Sequence, residues 1–340
     1  PISFFFLIIL EYLNSKKINI FFSKILIFSL FYILFLYIQW PYMWVFDYNE
    51  IRNFFEPFKV HTNLKVFFNG EFFESNHLPV SYIPKWISIS TPIFYLIFFL
   101  IGIFHYIRRL FFRLIQMKDN SLTNDLWSGT SEKIDLFVLI SFLQVLIVYL
   151  SSSPNLMKGW THFLFLHFFI IYFGVLGLRF LFLLNRKNKK NKNILIIISF
   201  FLLSEVVYKL YIYHPYQSLY LNNFMTKKDK KMYEIDYQSI SRYQAIKEII
   251  EDSEKDIIKV GTASWTPLKE GISMIPSNER KEIVFSGTNN MEEADYIYTN
   301  YFYEVDTRYN DKYSIPDNFI IFKTHYIDDI RIYSILKKIK

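Results

Sequence analysis

The densest grouping of side chains able to do chemistry lies between positions 41 and 86. Asp47, Glu50, Glu56, His61, Glu71, Glu74 and His77 occur there among many aromatic residues, with Trp40, Trp44 and Trp86 at or beside its edges. Carboxylates and imidazoles gathered in one loop suit acid–base work, and tryptophans suit the headgroup layer of a bilayer. The segment is longer than a simple connector. It reads as a re-entrant or interfacial segment lining a substrate site, or as an aromatic interface loop with solvated acids. The residues alone weigh toward the second. Within it, Glu71, His77 and Tyr82 are the candidates for ligand contact. His61 and His77 match no metal-ligand spacing. The chain has no Cys, so thiol chemistry and disulfides are excluded and no metal or other cofactor is expected.

Two further groups stand at the ends of apolar runs. In SSSPNLMKGWTHFLFLH (151–167), Lys158 and His162 sit where the chain re-enters an apolar stretch. A lone His at such a place is most often structural. The functional reading is contact with an anionic lipid-linked phosphate, assisted by a helix N-terminus. In HPYQSLYLN (214–222), His214 and Tyr216 follow the last apolar run and read as a membrane-exit collar; with Lys158 and His162 they are the candidates for binding the lipid-linked phosphate of a donor. Glu205 and Lys209 are four apart, so a helix would put them on one face as a self-neutralising pair or a relay.

These groups must be positioned by membrane-spanning elements. The composition is 52% hydrophobic and 21% aromatic, too apolar for an ordinary soluble domain, although an A/T-rich coding sequence explains part of the Phe, Ile, Lys and Asn excess. Six apolar stretches are expected to cross or enter a bilayer: 2–13, 18–39, 87–107, 134–150, 161–184 and 194–212. They are continuous rather than alternating, so they are expected to be helices. The chain opens with Pro inside an apolar run and lacks the marks of a signal peptide, so it is expected to be the C-terminal part of a longer protein.

Loop charge sets the orientation. Lys16, Lys17, Arg108, Arg109, Arg113, Lys118, Lys133, Arg186, Lys187, Lys189, Lys190 and Lys192 fall on one side of the alternating spans. Arg52, Lys59, Lys65, Lys85 and Lys158 fall on the other. The net charge of +7 thus reflects topology rather than nucleic-acid binding. The positive-inside rule places the first set in the cytoplasm and leaves 41–86, 151–160 and the C-terminal region outside. The expected domains are a transmembrane helical domain over 1–213, with its outer loop at 41–86, and an extracytoplasmic α/β domain over 214–340. In the latter, 239–252 has a helical pattern. Strands are expected at 257–261, 282–285, 294–299, 319–323 and 330–335, with a hairpin loop at 325–329. The fold class is therefore a polytopic α-helical membrane protein with a C-terminal soluble α/β domain, read as a lid rather than a catalytic centre.

Several segments in order carry a resemblance: WPYMW (40–44), FFNGEFFESNHLPVSYIPKWISISTP (67–92), GWTHFLFL (159–166), HPYQSLYLN (214–222), YEIDYQSISRYQAI (233–246) and ADYIYTNY (294–301). Together they resemble the C-terminal half of bacterial membrane glycosyltransferases of the GT-C superfamily, in the branch related to dolichyl-phosphate-mannose protein mannosyltransferases. The resemblance covers roughly residues 40–335. It implies a multi-pass enzyme of the bacterial inner membrane, with a GT-C-like fold and a polyprenyl-phosphate-linked sugar donor. Transfer to a glycan, lipid or protein acceptor would occur on the outer face, with inversion. It also implies a catalytic acid in a first outer loop that lies outside this chain. Such proteins often carry Asp or Asn before the Gly of GW and Arg after the Trp, where this chain has Lys158 and Thr161. After EIDY they tend to have Trp-Gly, where this chain has Gln238 and Ser239. The competing reading is a non-catalytic membrane scaffold or polysaccharide-assembly protein. A transporter is disfavoured because no internal repeat is seen.

Overall fold

The computed structural model describes residues 2–15, 18–44, 64–116, 127, 129–152 and 154–339. Five helices are long and apolar enough to cross a membrane: α2 (Ile18–Gln39), α4 (Ile93–Gln116), α5 (Thr130–Ser152), α6 (Leu166–Leu184) and α7 (Lys189–Ile212). The sixth apolar stretch forms α1 (Ile2–Ser15), whose 14 residues fall short of a span. None of the apolar windows of α2 and α7 is buried inside the protein. Leu26, Ile33, Phe200 and Phe201 are each more than 60% exposed. Such surfaces need hydrocarbon around them, so the chain is a membrane protein.

The helices and the remaining elements divide between two compact units. The first comprises residues 1–62, 97–154 and 165–184. Within it α4 and α6 come into close backbone contact. A Cβ on Gly102 would lie 1.8 Å from the Phe173 carbonyl oxygen, and one on Gly177 would lie 2.2 Å from that of Phe98. Small residues therefore set this crossing, as apolar solvent leaves close packing as a main source of helix association. Phe99, Phe142, Phe169 and Phe173 pack edge-on or tilted beside it. A polar cluster ties three helices together. Asp135 of α5 accepts from Arg109 of α4 at 2.8 Å and from the Tyr172 hydroxyl of α6 at 2.7 Å, while Arg113 pairs with Glu132.

The second unit comprises 63–96, 155–164 and 185–340. It thus takes in more than the tail after Tyr213. β1 (Lys65–Phe68) and β2 (Glu71–Glu74) form an antiparallel hairpin. Its turn is Asn69–Gly70, with φ of +55° and +88°, the backbone that an Asn-Gly pair favours. α3 (Tyr82–Ser90) follows and stops at Thr91, which is extended before Pro92. A helical turn, α8 (Lys227–Lys230), is closed by a capping box in which Thr226 and Asp229 bond each other's backbone N–H. α9 (Ser241–Asp252) then leads to a five-stranded sheet: β3 (Ile257–Thr262), β4 (Glu282–Gly287), β5 (Tyr296–Thr299), β6 (Phe319–Ile327) and β7 (Ile330–Lys338). The order is β4-β3-β5-β7-β6. β3 runs parallel to β4 and β5, and β7 runs antiparallel to β5 and β6.

The period-two alternation divides β5 cleanly. Tyr296 and Tyr298 face the core containing Ile246 and Ile249 of α9, while Ile297 joins Met291, Ala294 and Leu336 on the other side. The expected strands are all present. The hairpin loop expected at 325–329 is shorter, because β6 continues through Ile327 and only Asp328–Asp329 turn, both at positive φ. His325 is therefore a strand residue, stacked on Tyr333 at 5.3 Å.

Gly102→Ala should destabilise the protein by about 1–3 kcal/mol, because the added methyl meets backbone that cannot yield. Thermal unfolding in detergent reads this directly. Gly129→Ala, where nothing lies within 4 Å of the added atom, should leave the midpoint unchanged.

Candidate functional site

The segment Tyr233–Tyr237 places two carboxylates in the interior of the second unit. Asp236, at φ +50°, is fully buried. Its oxygens accept from the Ile240 N–H at 2.8 Å, the Ser241 hydroxyl at 2.5 Å and the Asn300 amide at 3.0 Å. It thus caps the start of α9 and holds the TNY segment against it. Burial pushes its carboxyl up, and these donors oppose the push.

Glu234 has less support. Its Oε1 accepts from the Phe67 N–H of β1 at 3.2 Å, and its Oε2 is buried without a hydrogen-bond partner among the described residues. Burial raises the carboxyl to about 7, against the opposing effects of the Phe67 and Gly159 N–H groups and of Lys158. A carboxyl that titrates near neutrality is suited to proton transfer or to accepting from a ligand hydroxyl.

Three other segments surround Glu234. Phe68 bridges to Tyr233 across an isolated antiparallel pair. Trp86 packs edge-on against Tyr82, Tyr233 and Tyr237 and is 3% exposed, so it is a core residue of this unit rather than a headgroup anchor. The Lys158–Gly159 turn is left-handed at both residues, with φ of +57° and +63°. A Cβ on Gly159 would come within 3.2 Å of the Tyr237 ring, so the left-handed backbone favours glycine and the tight contact adds to that preference. The Tyr82 hydroxyl donates to the Gly159 carbonyl at 2.9 Å, and the Leu156 N–H donates to the Ser75 carbonyl at 3.0 Å. Asn222 completes the assembly. Its amide donates to the carbonyls of Ser88 at 2.6 Å and Thr91 at 2.8 Å, and its N–H donates to that of Ile89.

Of the residues singled out from sequence, Tyr82 meets the Lys158–Gly159 turn. Lys158 itself is exposed, and so is His162, which lies in a single 3-10 turn (Thr161–Phe163) because α6 begins only at Leu166. The helix N-terminal assistance expected for this pair is therefore absent. Glu71 is exposed on β2, and His77 lies 3.4 Å from Glu74 on the surface. His214 is exposed and contacts Gln217, whereas Tyr216 is buried in the sheet core near His325. Among the described residues no hydrogen bond or ion pair joins Lys158 or His162 to His214 or Tyr216. Lys209 does not pair with Glu205; it reaches Asp328 in the β6–β7 turn at 2.5 Å. Asp47, Glu50, Glu56 and His61 lie outside the described residues.

Glu234, Asp236, Asn222 and Asn300 were not recognised as site residues from sequence. The available signal was acids alternating with tyrosines and isoleucine in YEIDY, a pattern that buries charge in an apolar run. Comparison of the chain with protein-family models, curated proteins and solved structures finds no match.

The raised Glu234 carboxyl has a signed consequence. Between its ordinary value of 4.5 and about 7 the folded chain keeps a proton that the unfolded chain releases, so stability falls as pH rises through that window. Glu234→Gln removes this loss. The variant should exceed the wild type by up to about 3 kcal/mol near pH 8 and match it near pH 4, as read by thermal unfolding at both pH values. A gap that does not change with pH would contradict the assignment.

Proposed function

We propose that this chain is the C-terminal part of a membrane glycosyltransferase of the GT-C kind. It takes a sugar from a polyprenyl-phosphate donor and passes it to an acceptor at the outer face of a bacterial cytoplasmic membrane. One observation carries the reading. Segments that resemble those transferases, though far apart in sequence, are joined through their own residues in one unit: Phe68 to Tyr233, Tyr82 to Gly159, Asn222 to Ser88 and Thr91, and Asp236 to Asn300. Residues spread over more than two hundred positions are thus bonded to each other within one unit, which supports reading them as one assembly.

In this reading the unit is the outward lid and donor-side wall of the enzyme. Lys158, exposed at the tight turn, and the exposed His162 are the contacts for the donor phosphate. The Asp or Asn that the transferases it resembles carry before the Gly suits a left-handed backbone, and Lys at φ +57° gives up that preference.

Lys158→Asn separates fold from binding, because Asn favours the left-handed backbone while removing the charge. The full chain in detergent should bind a polyprenyl-phosphate sugar, followed by tryptophan fluorescence. Lys158→Asn should weaken that binding ~tenfold with an unfolding midpoint equal to or above the wild type's. Unchanged affinity would remove Lys158 from the donor contact. A wild type that binds no such donor would favour the scaffold reading instead.

A further inference from the structure

The second unit holds a cavity of about 730 Å³ that Glu234 borders but that the donor reading leaves unused. One wall is the β1–β2 hairpin, with Phe67 and Phe72 tilted against each other at 4.9 Å. The opposite wall is the 301–308 loop, and the rim is formed by α8 and the ends of β6 and β7. Its volume lies in the range of small-molecule sites.

The distribution of charge around this cavity is uneven in a telling way. Two acids on the rim are already committed, the half-buried Asp306 to Arg308 and the exposed Asp329 to Lys227 at 2.9 Å. Arg331, Lys230 and Lys231 have no ion-pair partner among the described residues, although all three border the cavity. The Arg331 guanidinium lies 3.5 Å over the Tyr301 ring, which fixes its plane and leaves its N–H edge for a planar or tetrahedral anion. Burial holds the Lys230 ammonium below its usual range, a cost that an anion in the cavity would relieve. Tyr326, 57% exposed, and Tyr303 add ring faces and phenol hydroxyls to the same space.

We infer that this cavity binds an anionic saccharide, one carrying a carboxylate or phosphate group. The unpaired cations select the anion through charge-assisted hydrogen bonds. The aromatic faces suit the flat carbon–hydrogen face of a sugar ring, and the volume admits a short oligosaccharide rather than a single ion. The inference stands on the cavity and not on glycosyl transfer.

The test uses the full chain in detergent with calorimetric titration. Tetragalacturonate and glucose 6-phosphate supply carboxylate and phosphate versions of the ligand, maltotetraose is the neutral control, and phosphatidylglycerol vesicles supply a lipid-borne anion. At least one of the two anionic sugars should bind saturably. Arg331→Gln and, separately, Tyr326→Ala should each weaken it ~tenfold without shifting the unfolding midpoint. If Arg331→Gln fails to fold, Lys231→Gln, at an exposed position, carries the same expectation. Maltotetraose binding as tightly as the anionic sugars, wild-type affinity in the folded charge variants, or binding to vesicles alone would each overturn the inference. A chain that binds tetragalacturonate but no polyprenyl-phosphate sugar would keep the cavity assignment and lose the transferase reading.

Discussion

The C-terminal end of α3 leaves carbonyl groups that no later turn of helix can satisfy, and Asn222 satisfies them. Its amide reaches the carbonyls of Ser88 and Thr91, its N–H reaches Ile89, and its Oδ1 accepts from the Phe224 N–H. The residue is fully buried, so each group left unpaired there would cost about 1–3 kcal/mol. The same side chain therefore closes a helix and fixes where the chain leaving α7 must run. The hairpin, the Lys158–Gly159 turn and the YEIDY segment are then held by single bonds of the same type: a backbone carbonyl or N–H of one segment and a polar atom of another. In a water-excluding interior such bonds are directional in a way that apolar packing is not. They set the register in which Glu234 and Asp236 are buried.

Much of the fold follows from patterns that a reader of the chain can see. The five spans are continuous apolar runs of sufficient length, and α9 and the five strands of the sheet follow from period 3.6 and period 2. The misses have physical causes. Asn69–Gly70 is a strong hairpin signal, but it sits in a loop whose acids and aromatics drew attention to chemistry and membrane contact instead. His325 and Tyr326 look like turn residues by their polarity, yet they continue β6 because the turn is made by two aspartates at positive φ. Trp86 resembles a headgroup anchor, but tertiary packing against Tyr82, Tyr233 and Tyr237 claims it.

The candidate site was less legible than the fold. Lys158 stands out in the sequence as a charge where the chain enters an apolar run, and Tyr82 as a member of the aromatic outer loop. Glu234 and Asp236 escaped because their significance is tertiary: nothing within five residues reveals that Phe67 and Asn300 supply surrounding donors. Lys209 shows the same effect. Its spacing from Glu205 is right for a helix pair, but a partner more than a hundred residues away lies closer to hand.

Loop charge and hydrogen bonding speak to one geometric claim by independent routes. The distribution of charge leads to the expectation that the segments around His77, Lys158 and the C-terminal sheet share one side. Bonds such as Ser75 to Leu156 and Asn222 to Thr91 need those segments to meet. The absence of native cysteine makes single-cysteine labelling clean. The direct measurement places one cysteine at a time at the exposed positions His77, Lys158, Glu254 and Lys189, and treats intact cells with a membrane-impermeant thiol reagent. The account predicts that the first three react and that Lys189→Cys reacts only after the membrane is opened. Any one of the first three reacting from the side opposite to the other two would contradict it.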